Sequence, residues 1–333
     1  MSLLQQAPRF DLAGAARLAR ELYGLDAAAS ALPSERDQNF LLRTAVDERY
    51  VLKIANAAEN RAMLEAQNAA MAHVADRAAC CPRVLPTIAG ATIGTVAGSG
   101  HLVRLVTYLA GAPLAASRAR TPGLLASLGR AVGRLDAALA DFDHPAIHRD
   151  FHWDLANAAL VIGEHLALID DDDDRGLVER VSASALRSIE PRRGAWRRSA
   201  IHNDANDWNV LVSKSEVVAI IDFGDIVHSW TVADPAVAIA YAMLDAADPL
   251  AAAAAIARGY QAEHPLRDEE LAAVFPLACL RLCMSACIAA WQQAQRPDDE
   301  YLAVSQGPIR RTLPVLAAIP LEVAEETLRA VTR

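Results

Sequence analysis

Short apolar runs broken by polar positions dominate the first third of the chain, and long stripes at helical spacing dominate the rest. Leu12 to Leu22 has helical character, and Gly24 ends it. Phe40 to Arg43 and Arg49 to Ile54 read as strands, and the polar Asp47-Glu48 between them predicts an antiparallel hairpin. A helix follows from about Ala58 to Val74, with Leu64, Met71 and Val74 on one face, and Thr92 to Val96 and His101 to Leu105 are further strand candidates. Beyond these, Thr121 suits an N-cap and Pro122 a first helical position. Leu125, Leu128, Val132, Leu135, Leu139 and Phe142 then draw the stripe of a long core helix. The change near 106 to 113 divides the chain into an N-terminal lobe, 1–106, and a mainly helical C-terminal lobe, 107–333, joined by a hinge at about 105–113.

Composition narrows the function. At 333 residues and 53% hydrophobic, the chain supports a well-buried globular core with room for two lobes. A net charge of −9 argues against nucleic acid as a partner, because phosphate backbones are held by Lys and Arg clusters. A nucleotide remains compatible, since one lysine and a metal ion suffice for its phosphates. Met1 to Phe10 has no apolar run of signal-peptide length, and no stretch approaches the roughly 18 uncharged apolar residues of a membrane span. A soluble cytoplasmic protein is therefore expected. Cys279, Cys283 and Cys287 fall on one helical face, where a buried helix explains them better than a soft-metal site. Asp170 to Asp174 is expected to be a solvated loop.

The segment that carries chemistry runs from Ile201 to Val212. His202 to Asn209 forms a loop into an apolar strand, a polar turn follows at Ser213 to Glu216, and a second strand from Val217 to Ile221 ends at Asp222-Phe223-Gly224-Asp225. Such a hairpin returns the chain to its start, so Asp204, Asn209 and Asp222 should converge at one end. Two carboxylates and an amide oxygen there suit a hard divalent ion together with a proton acceptor. Phosphoryl transfer needs that pair: Mg²⁺ against phosphate oxygens, and a carboxylate that orients the attacking hydroxyl and takes its proton. The spacing His-x-Asp-x-x-x-x-Asn followed by Asp-Phe-Gly matches kinase catalytic and metal loops. His148-Arg149-Asp150 looks like the same triplet, but Leu155 stands where Asn is required, so it is read as a look-alike. Trp153-Asp154-Leu155 is read as structural, with a substrate-side wall as the alternative.

Upstream, Lys53 lies on a strand face opposite Tyr50, Leu52 and Ile54, from which it could reach nucleotide phosphates. Glu65 on the following helix is its expected ion-pair partner, with Glu59 as runner-up. Pro33 to Phe40 sits where a phosphate-covering loop would lie. It has no glycine, so contacts would come from backbone amides and side chains such as Ser34 or Asn39.

Together these motifs resemble the aminoglycoside-phosphotransferase and choline-kinase superfamily. The likeness is closest to its hydroxylysine-kinase-like branch, through LPSERDQNFLL (32–42), YVLKI (50–54), LEAQN (64–68), 201–212 and IDFGD (221–225). The resemblance implies an α+β, two-lobed protein-kinase-like fold, with an N-terminal antiparallel sheet plus helix and the nucleotide base packed at the hinge. It implies Lys53 as phosphate-binding lysine, Glu65 as its partner, Asp204 as base, Asn209 and Asp222 as metal ligands, and His202 as loop-shaping. Asn203 replaces a common glycine, a change that Asn's tolerance of left-handed backbone permits.

The leading expectation is an ATP- or GTP-dependent kinase acting on a hydroxyl of a small amine or amino acid, hydroxylysine-like. The alternatives are an aminoglycoside phosphotransferase and a non-catalytic nucleotide-binding module. Arg281, Trp291 and Tyr301 could line the acceptor pocket.

Overall fold

The computed structural model describes residues 8–34, 37–78, 80–117, 119–295 and 305–332. The chain forms two compact units, Met1–Ala110 with His144–Ala146, and Gly111–Asp143 with Ile147–Arg333.

In the first unit, α1 (Leu12–Tyr23) is capped by Asp11 at its start and by Gly24, at φ 67°, at its end. Strands β1 (Ala27–Leu32), β2 (Gln38–Thr44) and β3 (Arg49–Ile54) form a meander, and the expected hairpin is β2–β3, with Phe40 opposite Leu52 and Asp47 at φ 66° in its turn. Helix α2 (Arg61–Val74) and strands β4 (Val84–Leu85), β5 (Gly94–Thr95) and β6 (Leu102–Thr107) complete the unit. The sheet order is β1-β2-β3-β6-β4, with β5 also on β6 and every pairing antiparallel. Alternation sorts its two faces. Phe40, Leu42, Leu52, Ile54, Val103 and Leu105 pack on Ala15, Leu18 and Ala19 of α1. Asn39, Lys53 and Arg104, direct neighbours in register, occupy the other face.

The second unit begins with β7 (Ala112–Pro113), α3 (Pro122–Leu139), α4 (Ala158–His165) and α5 (Asp172–Ile189). Strands β8 (Arg198–Ile201), β9 (Val210–Ser213), β10 (Glu216–Ile220) and β11 (Val227–Trp230) follow, then α6 (Ala233–Ala242), α7 (Pro249–Gln261), α8 (Asp268–Leu271), α9 (Val274–Gln295), α10 (Gln306–Ala317) and α11 (Leu321–Thr332). Thr121 caps α3 through its hydroxyl, with Pro122 in the first turn, as the sequence predicts.

Two expectations need correction. The acidic tract at 170–174 is not a solvated loop. Asp171 accepts the N–H groups of Asp173 and Asp174, and Asp172 to Asp174 form the first turn of α5, where carboxylates meet the positive end of the helix dipole. Helix α9, in turn, is long and apolar enough by composition to cross a membrane, although Arg281 interrupts it. In this fold it is a core helix, mostly buried and packed by α4, α5, α6 and α10. Burial pushes the Cys279 and Cys287 thiols up to about 12, so they stay protonated as core residues.

Helices α3 and α7 approach so closely that backbone meets backbone. A Cβ at Gly129 would collide with the Ile256 carbonyl oxygen, and one at Gly259 with that of Ala126. This approach brings Tyr260 to Asp136, its hydroxyl donating to Oδ2 at 2.6 Å in a fully buried setting. Gly129→Ala should therefore lower stability by about 1–3 kcal/mol or more, read as a drop in denaturation midpoint at unchanged slope. An unchanged midpoint would show that the helices can separate freely.

Candidate active site

The β9–β10 hairpin carries the site. Its strands pair in register at Val210 and Ile220, and the Ile221 N–H donates to the Asn209 carbonyl at 2.9 Å, which places Asp222 beside Asn209. Asn206 organises the loop before it, its amide oxygen accepting the N–H groups of Trp208 and Asn209. The Asn206 amide donates to Asp204 Oδ1 at 2.8 Å, and that of Asn209 to Oδ2 at 2.6 Å. Because the Asn209 nitrogen is committed to Asp204, its Oδ1 is the atom left to face a cation.

Negative charge is concentrated here. Burial, with Asp225 and Asp222 nearby, pushes the Asp204 carboxyl well above its ordinary range, against the pull of the Arg281 guanidinium. A divalent cation would offset that excess, so the residues fit a metal ion held by Asp222 and Asn209. Among the described residues no three His, Cys, Asp or Glu side chains gather into a self-sufficient metal site, and such an ion would take further oxygens from phosphate or water.

The loop is held from behind. Asp234, in the first turn of α6 and fully buried, accepts the backbone N–H of Asn203 at 2.6 Å and of His202 at 3.3 Å. Asn203 takes φ 65°, the left-handed conformation anticipated for it. His202 is fully buried, edge-on to Phe223, and its Nδ1 accepts the Asp204 N–H at 3.3 Å, which puts the ring proton on Nε2. Burial lowers its pKa despite the carboxylates around it, so the ring is neutral at pH 7. Behind Asp234 stands Asp136, pushed well above the ordinary carboxyl range by burial and by the charge of Asp234.

The look-alike triplet braces the other strand end. Arg149 donates to the carbonyls of Gly224 and Ile226 at 3.0 and 3.1 Å, gripping the turn that presents Asp222, itself at φ 68°. Asp150 is exposed and accepts from Asn157. Asp154 is structural: it caps a helical turn and accepts the Ser229 hydroxyl at 2.5 Å.

In the first unit, Lys53 is half-buried between Asn39 and Arg104 in register, and the Asn39 Oδ1 is buried without a hydrogen-bond partner. Ser34 is exposed. Glu65, expected to pair with Lys53, instead lies exposed on α2, 3.8 Å from Arg61. The buried stripe of α2 runs through Leu64, Gln67, Asn68 and Met71, which turns Glu65 to solvent. A buried polar link between sheet and helix is made by Arg104, which donates to Asn68 Oδ1 at 3.1 Å. Sequence reasoning missed Arg104, whose only signal is a charge at an inward position of an apolar strand.

Of the acceptor-side candidates, Arg281 reaches Asp204 Oδ1 at 3.3 Å and the Trp153 carbonyl at 2.8 Å. Trp291 is partly exposed and stacks on His165. Tyr301 lies outside the described residues.

Comparison with known proteins agrees with this geometry. The model of the "Phosphotransferase enzyme family" matches residues 28–271. A hydroxylysine kinase of Danio rerio is 29% identical over 324 residues, 92% of this chain and 91% of that protein. One of Mus musculus is 32% identical over 330 residues, 90% and 87% of the two chains. An amicoumacin kinase solved with AMP-PNP, Ca²⁺ and Ami superposes with a TM-score of 0.69 at 14% identity, covering 94% of this chain and 97% of that one. A microcompartment-associated aminopropanol kinase gives 0.69 at 20% identity, covering 97% and 99%. These structural likenesses establish the two-lobed, protein-kinase-like fold.

Asp234→Ala should leave the N–H groups of His202 and Asn203 buried without an acceptor, at roughly 1–3 kcal/mol each. Chemical denaturation should show that loss, and Asp234→Asn, which keeps one acceptor oxygen, should show less. Equal stability of Asp234→Ala and wild type would mean that the loop is held elsewhere.

Proposed function

The chain belongs to the phosphotransferase enzyme family, and on that footing we propose that it is a kinase moving the terminal phosphoryl group of ATP or GTP to the hydroxyl of a small amine or amino acid, hydroxylysine being the acceptor best supported. The observation that carries this is the division of labour at the hairpin end. Asp204 stands as a carboxylate fixed by two amides, while Asn209 and Asp222 offer oxygens beside it.

Asn209 and Asp222 would hold Mg²⁺, which when bound supplies positive charge to the phosphates. Asp204 orients the acceptor hydroxyl and takes its proton. Lys53 binds the phosphates, with Asn39 beside it on β2 and Ser34 of the preceding loop as further contacts. The presence of Lys53, Asp204, Asn209 and Asp222 together weighs against a non-catalytic nucleotide-binding module.

A small amine as acceptor is supported by a cavity of about 670 Å³ in the second unit, lined by Asp207 and Trp208 of the same loop. Of the three carboxylates there, Asp207 pairs with Arg120 at 2.8 Å and Asp245 with Arg311 at 2.7 Å, so the charge that could meet an ammonium group is that of Asp248.

The test is nucleotide turnover with Mg²⁺ and either ATP or GTP, across hydroxylysine, 1-amino-2-propanol, choline, homoserine and an aminoglycoside. Stimulation by hydroxylysine above the others is expected, and stimulation by the aminoglycoside alone would contradict the acceptor. Lys53→Ala should chiefly raise the nucleotide KM or misalign the phosphates, and unchanged kinetics would reduce Lys53 to an edge-strand residue.

A further inference from the structure

Arg281 is out of place by packing criteria alone. It is 1% exposed on α9, between Leu280 and Leu282, both fully buried. Its Nε is buried with no hydrogen-bond partner. Removing a guanidinium from water with a donor unsatisfied costs stability, and an apolar side chain of similar volume commonly packs there at no greater cost. The charge therefore serves something other than the core.

What it touches shows the use. One terminal nitrogen reaches Asp204 Oδ1 at 3.3 Å and the other donates to the Trp153 carbonyl at 2.8 Å. The guanidinium lies 4.5 Å from the centre of the Trp153 ring and 5.9 Å from that of Tyr241, so its plane is confined by aromatic faces. A rigid fork held in this way cannot follow a moving carboxylate. The Trp153 carbonyl also accepts from the Asn203 amide at 3.4 Å, which ties the same segment back to the loop.

Resting on Asp204 as the base, we propose that Arg281 is its positioning residue, a guanidinium fixed on the core helix α9 that sets the orientation in which the Asp204 carboxylate meets the acceptor hydroxyl. Asn206 and Asn209 hold the carboxylate from within its own loop. Arg281 adds a restraint from outside it, 77 residues away in sequence. The same guanidinium also holds the Trp153 carbonyl, so Trp153 and Asp204 are tied to one fixed point.

The experiment is steady-state kinetics of the full chain with Mg²⁺, ATP and hydroxylysine, for Arg281→Met, Arg281→Lys, Asp204→Asn and the double variant Asp204→Asn/Arg281→Met. Misplacing a reacting group by about 1 Å costs up to about 100-fold, so Arg281→Met should lose about 10- to 100-fold in kcat with the nucleotide KM unchanged. Arg281→Lys, which keeps a cation without the fork, should recover part of that loss. In the Asp204→Asn background Arg281→Met should add no further loss, because its effect passes through the missing carboxylate. Thermal unfolding of each variant separates these effects from collapse of the core, and if Arg281→Met does not fold, Arg281→Lys alone must show a lower kcat at wild-type nucleotide KM. Wild-type kcat in Arg281→Met or, failing that, in Arg281→Lys would overturn the proposal, as would losses that multiply in the double variant. Full activity of Asp204→Asn by itself would instead remove the base on which the proposal rests.

Discussion

One buried carboxylate holds the second unit's chemistry in place. Asp234 accepts two successive backbone N–H groups, those of His202 and Asn203, in a setting where neither could reach water. Leaving such donors unpaired is costly, so the chain must keep this turn and the left-handed Asn203 that makes it. The turn decides where Asp204 begins, and Asn206 and Asn209 then decide where its carboxylate points. The brace extends outward: Asp136 and Tyr260 stand behind Asp234, and they meet because Gly129 and Gly259 let α3 and α7 touch along their backbones.

Electrostatics gives this geometry its purpose. The charges of Asp225 and Asp222 act on the Asp204 carboxyl in a setting where burial already raises the cost of charge. Arg281 offsets part of it from the core side, and the open amide oxygen of Asn209 beside Asp222 suits a cation on the other. An excess of negative charge here favours a divalent cation, whose charge metal-assisted phosphoryl transfer sets against the phosphate oxygens. His202, kept neutral by burial, shapes the loop without adding charge.

The hairpin was legible in the sequence because strand pairing is a local rule: eight residues of loop, two apolar strands and a polar turn leave one way for Asp204, Asn209 and Asp222 to meet. The α3 cap and the β2–β3 hairpin were legible for the same reason. Asp234 was not, because a single Asp opening an apolar helix carries no period and declares its role only through a loop 31 residues earlier. Glu65 was misplaced because helical spacing says which residues share a face, but not which face meets the sheet; Leu64 and Asn68 took that side. The acidic tract at 170–174 has the composition of a loop, and its role as a helix start depends on α5 having an end there. Strand β1 is alanine-rich and half exposed, so it offers no alternation strong enough to read.

On the proposed function, metal-dependent chemistry is seated at the hairpin ending at Asp222 and not at the triplet at 148–150. The most direct measurement is Mg²⁺-dependent phosphoryl transfer by Asp222→Ala beside Asp150→Asn, both at saturating nucleotide. Asp222→Ala should abolish metal-dependent turnover, and Asp150→Asn, at an exposed residue that accepts from Asn157, should leave it largely intact. A silent Asp150→Asn together with a fully active Asp222→Ala would contradict the assignment.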